Sequence, residues 1–186
     1  MYIFILIGGI VLILVIYIWV TRNSFVDLRN QIAEAFSAMD VHLKKRWDLV
    51  PNLVEIVKGY AKYEKNTLEK VIALRNKTYD NLTNEEKIAT NQELNDTIKS
   101  LFAIVEKYPD LKASDNFLSL SKSLSTIEEE IAKSRKYYNA VIRIYNNKVE
   151  KFPSNLIAKL FGFKTKAMFS IIEAERNNVD VELWKK

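Results

Sequence analysis

FLSLSKSLSTIEEEIAKSRKYYNAVIRIYNNKVEKF, running from Phe117 to Phe152, is the stretch on which the fold turns. Within it Phe117, Leu120, Leu124, Ile127, Ile131, Ser134, Tyr138, Val141, Tyr145, Lys148 and Phe152 are spaced alternately by three and four, an apolar seam kept over five heptads. Only Ser134 and Lys148 interrupt it. Such spacing predicts a helix from about Ser114, a good N-cap, to Lys151, stopped by Pro153. At ~1.5 Å per residue it would be ~57 Å long, so it needs neighbours of similar length to cover its seam.

Those neighbours can be read on the N-terminal side. Leu94, Ile98, Leu101, Val105 and Tyr108 repeat the spacing, with Thr83 and Glu86 as a Thr-x-x-Glu capping box at the start and Pro109 at the end. Leu28, Ile32, Phe36, Met39 and Leu43 form another seam, which resumes as Leu53, Val57, Tyr60, Leu68 and Ile72 beyond Pro51. The whole chain has Pro only at 51, 109 and 153 and Gly only at 8, 9, 59 and 162, so it has few places to turn. The fold class is therefore all-α, an antiparallel bundle of long coiled-coil-like helices. Pro51 is the candidate kink. A helix continuing through it to about Asn76 gives a three-helix body, whereas a reversal there gives a four-helix up-and-down bundle. Val50 is a poor N-cap and no turn-forming cluster surrounds Pro51, which favours continuity.

The first twenty residues belong to a different solvent. Met1 to Val20 carry no charged side chain, and fourteen of them are Ile, Leu, Val or Phe. At roughly 0.3 to 0.6 kcal/mol each, these favour insertion by about 6 kcal/mol, and twenty residues of helix span ~30 Å, the hydrocarbon thickness of a bilayer. Tyr17 to Val20 offer no small-x-small cleavage pattern, so the segment reads as a retained single-pass anchor. Arg22, Arg29, Lys44, Lys45 and Arg46 all follow the span and none precedes it, which predicts an N terminus outside and a body in the cytoplasm. With no cysteine, a reducing compartment is no handicap. The expected organisation is a transmembrane signal anchor over 1–21, a helical bundle over 22–153, and an apolar C-terminal segment with a polar tail over 154–186.

Chemistry finds little purchase. His42 is the only histidine, so the Glu-x-x-His pairs of di-iron bundles are missing, and four scattered glycines make no phosphate loop. No metal, cofactor or catalytic residue is expected, and the chain is read as no enzyme. Lys44, Lys45 and Arg46 form a basic cluster, but a net charge of +5 over 186 residues with interleaved acids reads as a solvated helical face and not a nucleic-acid surface. Lys44 would also lie ~33 Å along the helix from Arg22, beyond the reach of headgroups.

Two features call for contacts. Tyr138-Asn139 recurs seven residues later as Tyr145-Asn146, which suits buried polar groups that set helix register, or outward groups that meet a partner. Beyond Pro153, Leu156, Leu160, Phe161 and Phe163 concentrate apolar surface with lysines outside the long seam. They are the candidate interaction residues, and three coverings are open: the chain's own bundle, another subunit, or a lipid interface. Val179 to Trp184 alternates as a short extended strap would.

Three blocks carry a family likeness. Ala35-Phe36-Ser37-Ala38-Met39-Asp40-Val41-His42-Leu43-Lys44-Lys45-Arg46-Trp47-Asp48-Leu49-Val50-Pro51-Asn52-Leu53-Val54, then Val57-Lys58-Gly59-Tyr60-Ala61, is the first. Glu106-Lys107-Tyr108-Pro109-Asp110-Leu111-Lys112-Ala113 with Asn116-Phe117 is the second, and Tyr137 to Val141, Tyr145-Asn146 and Phe152 to Ala158 the third. In this order they resemble the bacterial LemA family. Phe36, His42, Trp47 and Arg22 depart from its pattern, where Trp, Gln, Tyr and Tyr are expected. The resemblance implies an N-terminal span in the bacterial cytoplasmic membrane, an all-helical domain after it and no firmly attached activity. The function expected is a membrane-anchored scaffold or assembly protein, with a homo-oligomer as one open form of it, or alternatively an adaptor or regulator of another membrane protein such as a protease or sensor; an enzyme is the third and least favoured class. The bilayer is the partner of residues 1–20.

Overall fold

A computed structural model describes residues 2–60 and 79–169. Among them the regular structure is helical: α1 (Tyr2–Tyr60), a 3-10 turn (Tyr79–Asn81), α2 (Asn84–Val105), the short α3 (Pro109–Lys112), α4 (Asp115–Glu150) and α5 (Ser154–Phe161). The seam residues Leu68 and Ile72, the helix end near Asn76, and the alternating Val179 to Trp184 lie outside the described residues.

Pro51 sits inside α1, which runs on to Tyr60 without reversing. α2 begins with the expected reciprocal cap: the Glu86 N–H donates to Thr83 Oγ1 at 3.3 Å, and the Thr83 N–H donates to Glu86 Oε2 at 2.7 Å. Ser114 caps α4, its Oγ accepting from the Phe117 N–H at 3.4 Å. α4 ends at Glu150, so Phe152, the last member of the seam, leaves the helix and is 78% exposed instead of buried.

By their contacts the residues form two units, one of Met1–Ile32 with Tyr138–Lys186 and the other of Ala33–Tyr137. In the second unit Val50, Leu53, Val54 and Val57 of α1 pack with Leu94, Leu101, Ile104 and Val105 of α2, Leu111 of α3, and Phe117, Leu120 and Leu124 of α4. Asp40 pairs with Lys87 while Arg46 pairs with Asn91 and Asn95, so α1 and α2 run in the same direction. Phe102 meets Phe117 at 5.5 Å between ring centroids, and Asn95 and Glu128 share Arg46, so α4 runs antiparallel to both. The alternating three-helix order expected of a continuous α1 is therefore not what the helices adopt. The reason lies in where α2 starts: Tyr60 is ~30 Å along α1 from Asp40, yet Tyr79 is bonded to Asp40, so α2 begins beside the middle of α1 and not beyond its end.

In the first unit Phe25, Leu28 and Ile32 of α1 are buried with Val141, Ile142 and Tyr145 of α4 and Ile157 and Ala158 of α5. Burial starts abruptly. Tyr2 to Val20 are exposed but for half-buried Ile18, and among the described residues nothing covers the most apolar 18-residue window of α1. Thr21 is the first buried residue. α1 thus carries a candidate membrane span, long and apolar enough to cross a bilayer, and packing begins where that span ends.

Candidate functional site

In the second unit the site is a buried polar layer. Arg46 occupies the seam of α1, spaced three after Leu43 and four before Val50, and is only 1% exposed. Its Nη1 donates to Asn95 Oδ1 and Glu128 Oε1, each at 2.6 Å, while Nη2 donates to the Asn91 carbonyl at 2.8 Å and to Asn91 Oδ1 at 2.6 Å. One planar guanidinium thereby joins α1, α2 and α4. A reading of Lys44, Lys45 and Arg46 as one solvated cluster is corrected here: Lys45 is exposed and Lys44 half-buried, but Arg46 points into the core. Consecutive helical residues face about 100° apart, so neighbours in sequence need not share a face.

Two turns away, Asp40 accepts from the Tyr79 hydroxyl at 2.7 Å and from Lys87 Nζ at 2.6 Å. Tyr79 is buried, with Trp47 at 5.6 Å between ring centroids and the ammonium groups of Lys87 and Lys44 at 5.1 Å and 5.6 Å from its ring. Burial and its bond to the Asp40 carboxylate push the Tyr79 phenol far above its ordinary value of 10.0. His42 is half-buried.

In the first unit the two Tyr-Asn repeats do something specific. Asn139 Nδ2 donates to the Phe169 carbonyl at 2.9 Å while its Oδ1 accepts the Phe169 N–H at 2.8 Å. Asn146 treats Lys166 in the same way, at 2.8 Å and 2.9 Å. Seven residues of α4 rise ~10.5 Å, and three residues of extended chain cover ~10 Å, so the two amides meet residues 166 and 169 in register. Lys164 to Phe169 is thus a strap held antiparallel along α4 through its backbone. Tyr145 is buried, with its ring edge-on to Phe25 at 6.1 Å, and Tyr138 is half-buried. Burial raises the Tyr145 phenol pKa, with Arg29 opposing.

Phe163 stacks on Phe25, their centroids 4.7 Å apart, so it faces inward. Gly162, at φ 74°, makes this turn possible: it closes α5 in the left-handed conformation and the Phe163 N–H returns to the Ala158 carbonyl at 2.9 Å. Leu156 and Leu160 are instead exposed, at 56% and 69%, and Phe161 lies under the Arg22 guanidinium, 5.4 Å from its ring centroid. Lys148 breaks the seam by donating to the Ser24 hydroxyl and sitting 5.5 Å from the Phe25 ring centroid. Burial lowers its pKa, with Asp27 opposing. Among the described residues no three His, Cys, Asp or Glu side chains are grouped as a metal site would need.

The LemA family model matches residues 35–183, four-fifths of the chain, beginning after the span. The chain belongs to the LemA family. Protein LemA of Metamycoplasma hominis is 30% identical, over 86% of this chain and 73% of that protein. Magnetosome protein MamQ of Magnetospirillum gryphiswaldense is 23% identical over 76% of this chain and 62% of its own. Magnetosome protein MamQ 2 of Paramagnetospirillum magneticum is 38% identical over 37% of this chain and 25% of its own. This LemA-family chain therefore spans less than two thirds of its MamQ relatives. Arg46, Asp40 and the two asparagines all fall within the family match. The structure adds Arg46, Asn91, Asp40 and Tyr79 to the residues singled out from sequence; for Arg46 the three-and-four spacing was the available signal.

Proposed function

We propose that this chain is a membrane-anchored scaffold that works through contacts between helices, without catalysis, and that it self-associates. What supports this is the use made of its buried and half-buried polar side chains. Asp40, Arg46, Lys87 and Asn91 are engaged in bonds between elements, and Asn139 and Asn146 in bonds to the strap. Groups tied to one another in this way set the heights at which helices meet, as buried polar residues do in coiled coils. A catalytic group must instead present a donor or acceptor to a substrate. The names LemA and magnetosome protein MamQ state no reaction.

Residues 2–20 anchor the chain in the bacterial cytoplasmic membrane as a single pass. Arg22, Arg29, Lys44, Lys45 and Arg46 follow the span, which supports a body in the cytoplasm and the other end of the span outside. Cross-linking in native membranes followed by sizing of the full chain in detergent tests the scaffold. Cross-linked species at multiples of one chain are expected. A single chain joined to a different membrane protein would favour the adaptor reading, and a single chain with no partner would overturn both. Protease added to intact cells should spare the body; its digestion, with cytoplasmic controls intact, would reverse the orientation.

A further inference from the structure

The face that α5 leaves uncovered lies at the edge of the span. Packing starts at Thr21, one residue past the exposed apolar run, so no spacer lifts the first unit away from the end of the span. Trp19 and Tyr17, both ring types that settle at membrane interfaces, precede Arg22 by about one turn or so of helix. Arg22 then lies over Phe161, which sets the last turn of α5 at that same level. α5 is two-faced: Ile157 and Ala158 are buried in the unit, while Leu156 and Leu160 are 56% and 69% exposed, with Phe152 beside them in sequence at 78%. Lysines frame this apolar surface. From Lys151 to Phe169 the chain has Lys151, Lys159, Lys164 and Lys166 and no acidic residue, in a protein whose net charge is otherwise modest. Exposed Leu and Phe with flanking Lys on a short amphipathic helix is the pattern of a segment lying in the headgroup boundary. Anionic phosphates complement its charge.

We propose that α5 and the residues just before it rest on the bilayer surface, with Phe152, Leu156 and Leu160 in the boundary between headgroups and acyl chains and Lys151, Lys159, Lys164 and Arg22 on lipid phosphates. The occupant of this face is the membrane that holds α1, not a second copy of the chain. This rests on the reading of residues 2–20 as a span. A second contact with the same bilayer restricts the tilt and rotation of the body about its anchor, which a single helix leaves free.

The absence of cysteine allows the full chain in lipid nanodiscs to be labelled at one site at a time. An environment-sensitive fluorophore is placed at Leu156→Cys, Leu160→Cys, Ile10→Cys and Asn30→Cys, all exposed positions, and quenched by nitroxide lipids carrying the spin label shallow or deep. Labels at 156 and 160 should lose fluorescence to shallow nitroxides, the label at 10 to deep ones, and the label at 30, ~15 Å along α1 from Val20, to neither. The loss at 160 should be larger with phosphatidylglycerol than with phosphatidylcholine, and Lys159→Glu with Lys164→Glu should abolish that difference. Quenching at 10 without quenching at 156 and 160 would overturn the surface contact and leave the span standing. Pyrene excimers at position 160 would overturn it in favour of a contact between copies. An unquenched label at 10 would remove the span itself, and the inference with it.

Discussion

Arg46→Met keeps much of the stem's length and removes the guanidinium, and it should destabilise the second unit more than any change at its ionic partner. The magnitude follows from which acceptors are stranded. Asn91 is 2% exposed, and its Oδ1 loses a donor at 2.6 Å. A buried acceptor left unpaired costs about 1 to 3 kcal/mol. The Glu128 side chain is 44% exposed, so water replaces the lost bond there, and that half of the pair contributes no more than about 1 kcal/mol. Breaking a fully buried ion pair costs about 3 to 5 kcal/mol, but this pair is open on one side, which puts Arg46→Met at about 2 to 4 kcal/mol. For a domain of this size each kcal/mol moves the melting temperature by about 2 to 4 °C, so a fall of about 4 to 16 °C is expected. Glu128→Gln should cost less than about 1 kcal/mol. Arg46→Lys should fall between, because one ammonium cannot reproduce a planar fork that reaches Asn91, Asn95 and Glu128 together. Adding Asn91→Leu to Arg46→Met should recover part of the loss, since both sides of the broken contact are then apolar. Thermal unfolding of the full chain in detergent, followed by helicity, reads all four. An Arg46→Met protein melting within about 2 °C of the parent, or a Glu128→Gln protein as damaged as Arg46→Met, would refute the claim that the guanidinium holds three helices through its buried bonds.

Two further outcomes follow from the same geometry. The folded Tyr79 phenol has its pKa raised above the ordinary 10.0, so the folded state binds more protons than the unfolded one above that pH; stability from this group is full below pH 10 and is lost as pH rises beyond it. Tyr79→Phe should therefore shrink the drop in melting temperature between pH 8 and pH 11, and an undiminished drop would remove Tyr79 as its source. Asn139→Asp and Asn146→Asp each keep an acceptor and replace the amide donor with charge facing the Phe169 or Lys166 carbonyl, so the strap should detach. Faster tryptic cleavage after Lys164 and Lys166, with helicity retained, is the expected readout; unchanged cleavage would mean that the two amides do not hold it.

What was legible in advance was what repeats. Leu28, Ile32, Phe36, Met39, Leu43, Leu53 and Val57 are buried as their spacing requires, and so are Leu94, Leu101, Val105, Phe117, Leu120, Leu124 and Ile131. The Thr83 and Glu86 cap was legible too, because a cap is a fixed local pattern with one geometric solution. Helix direction was not, since a seam spaced by three and four reads alike whichever way its helix runs; Asp40 with Lys87 and Arg46 with Asn91 settle that α1 and α2 are parallel. Arg46 was hidden by chemistry, not by spacing: its charge assigned it to the surface with Lys44 and Lys45, although its place between Leu43 and Val50 is a core position. A buried arginine can only be recognised once Asn91, Asn95 and Glu128 are brought around it, and they lie 45 to 82 residues away. The strap shows the same limit from both sides. Its helical half, Asn139 and Asn146, announced itself as a seven-residue repeat, but its other half is backbone at residues 166 and 169, and a backbone amide has no residue type to repeat. Side chains that bond to backbone leave a pattern on one partner only, so from sequence such a pair shows which helix offers the contact and never what accepts it.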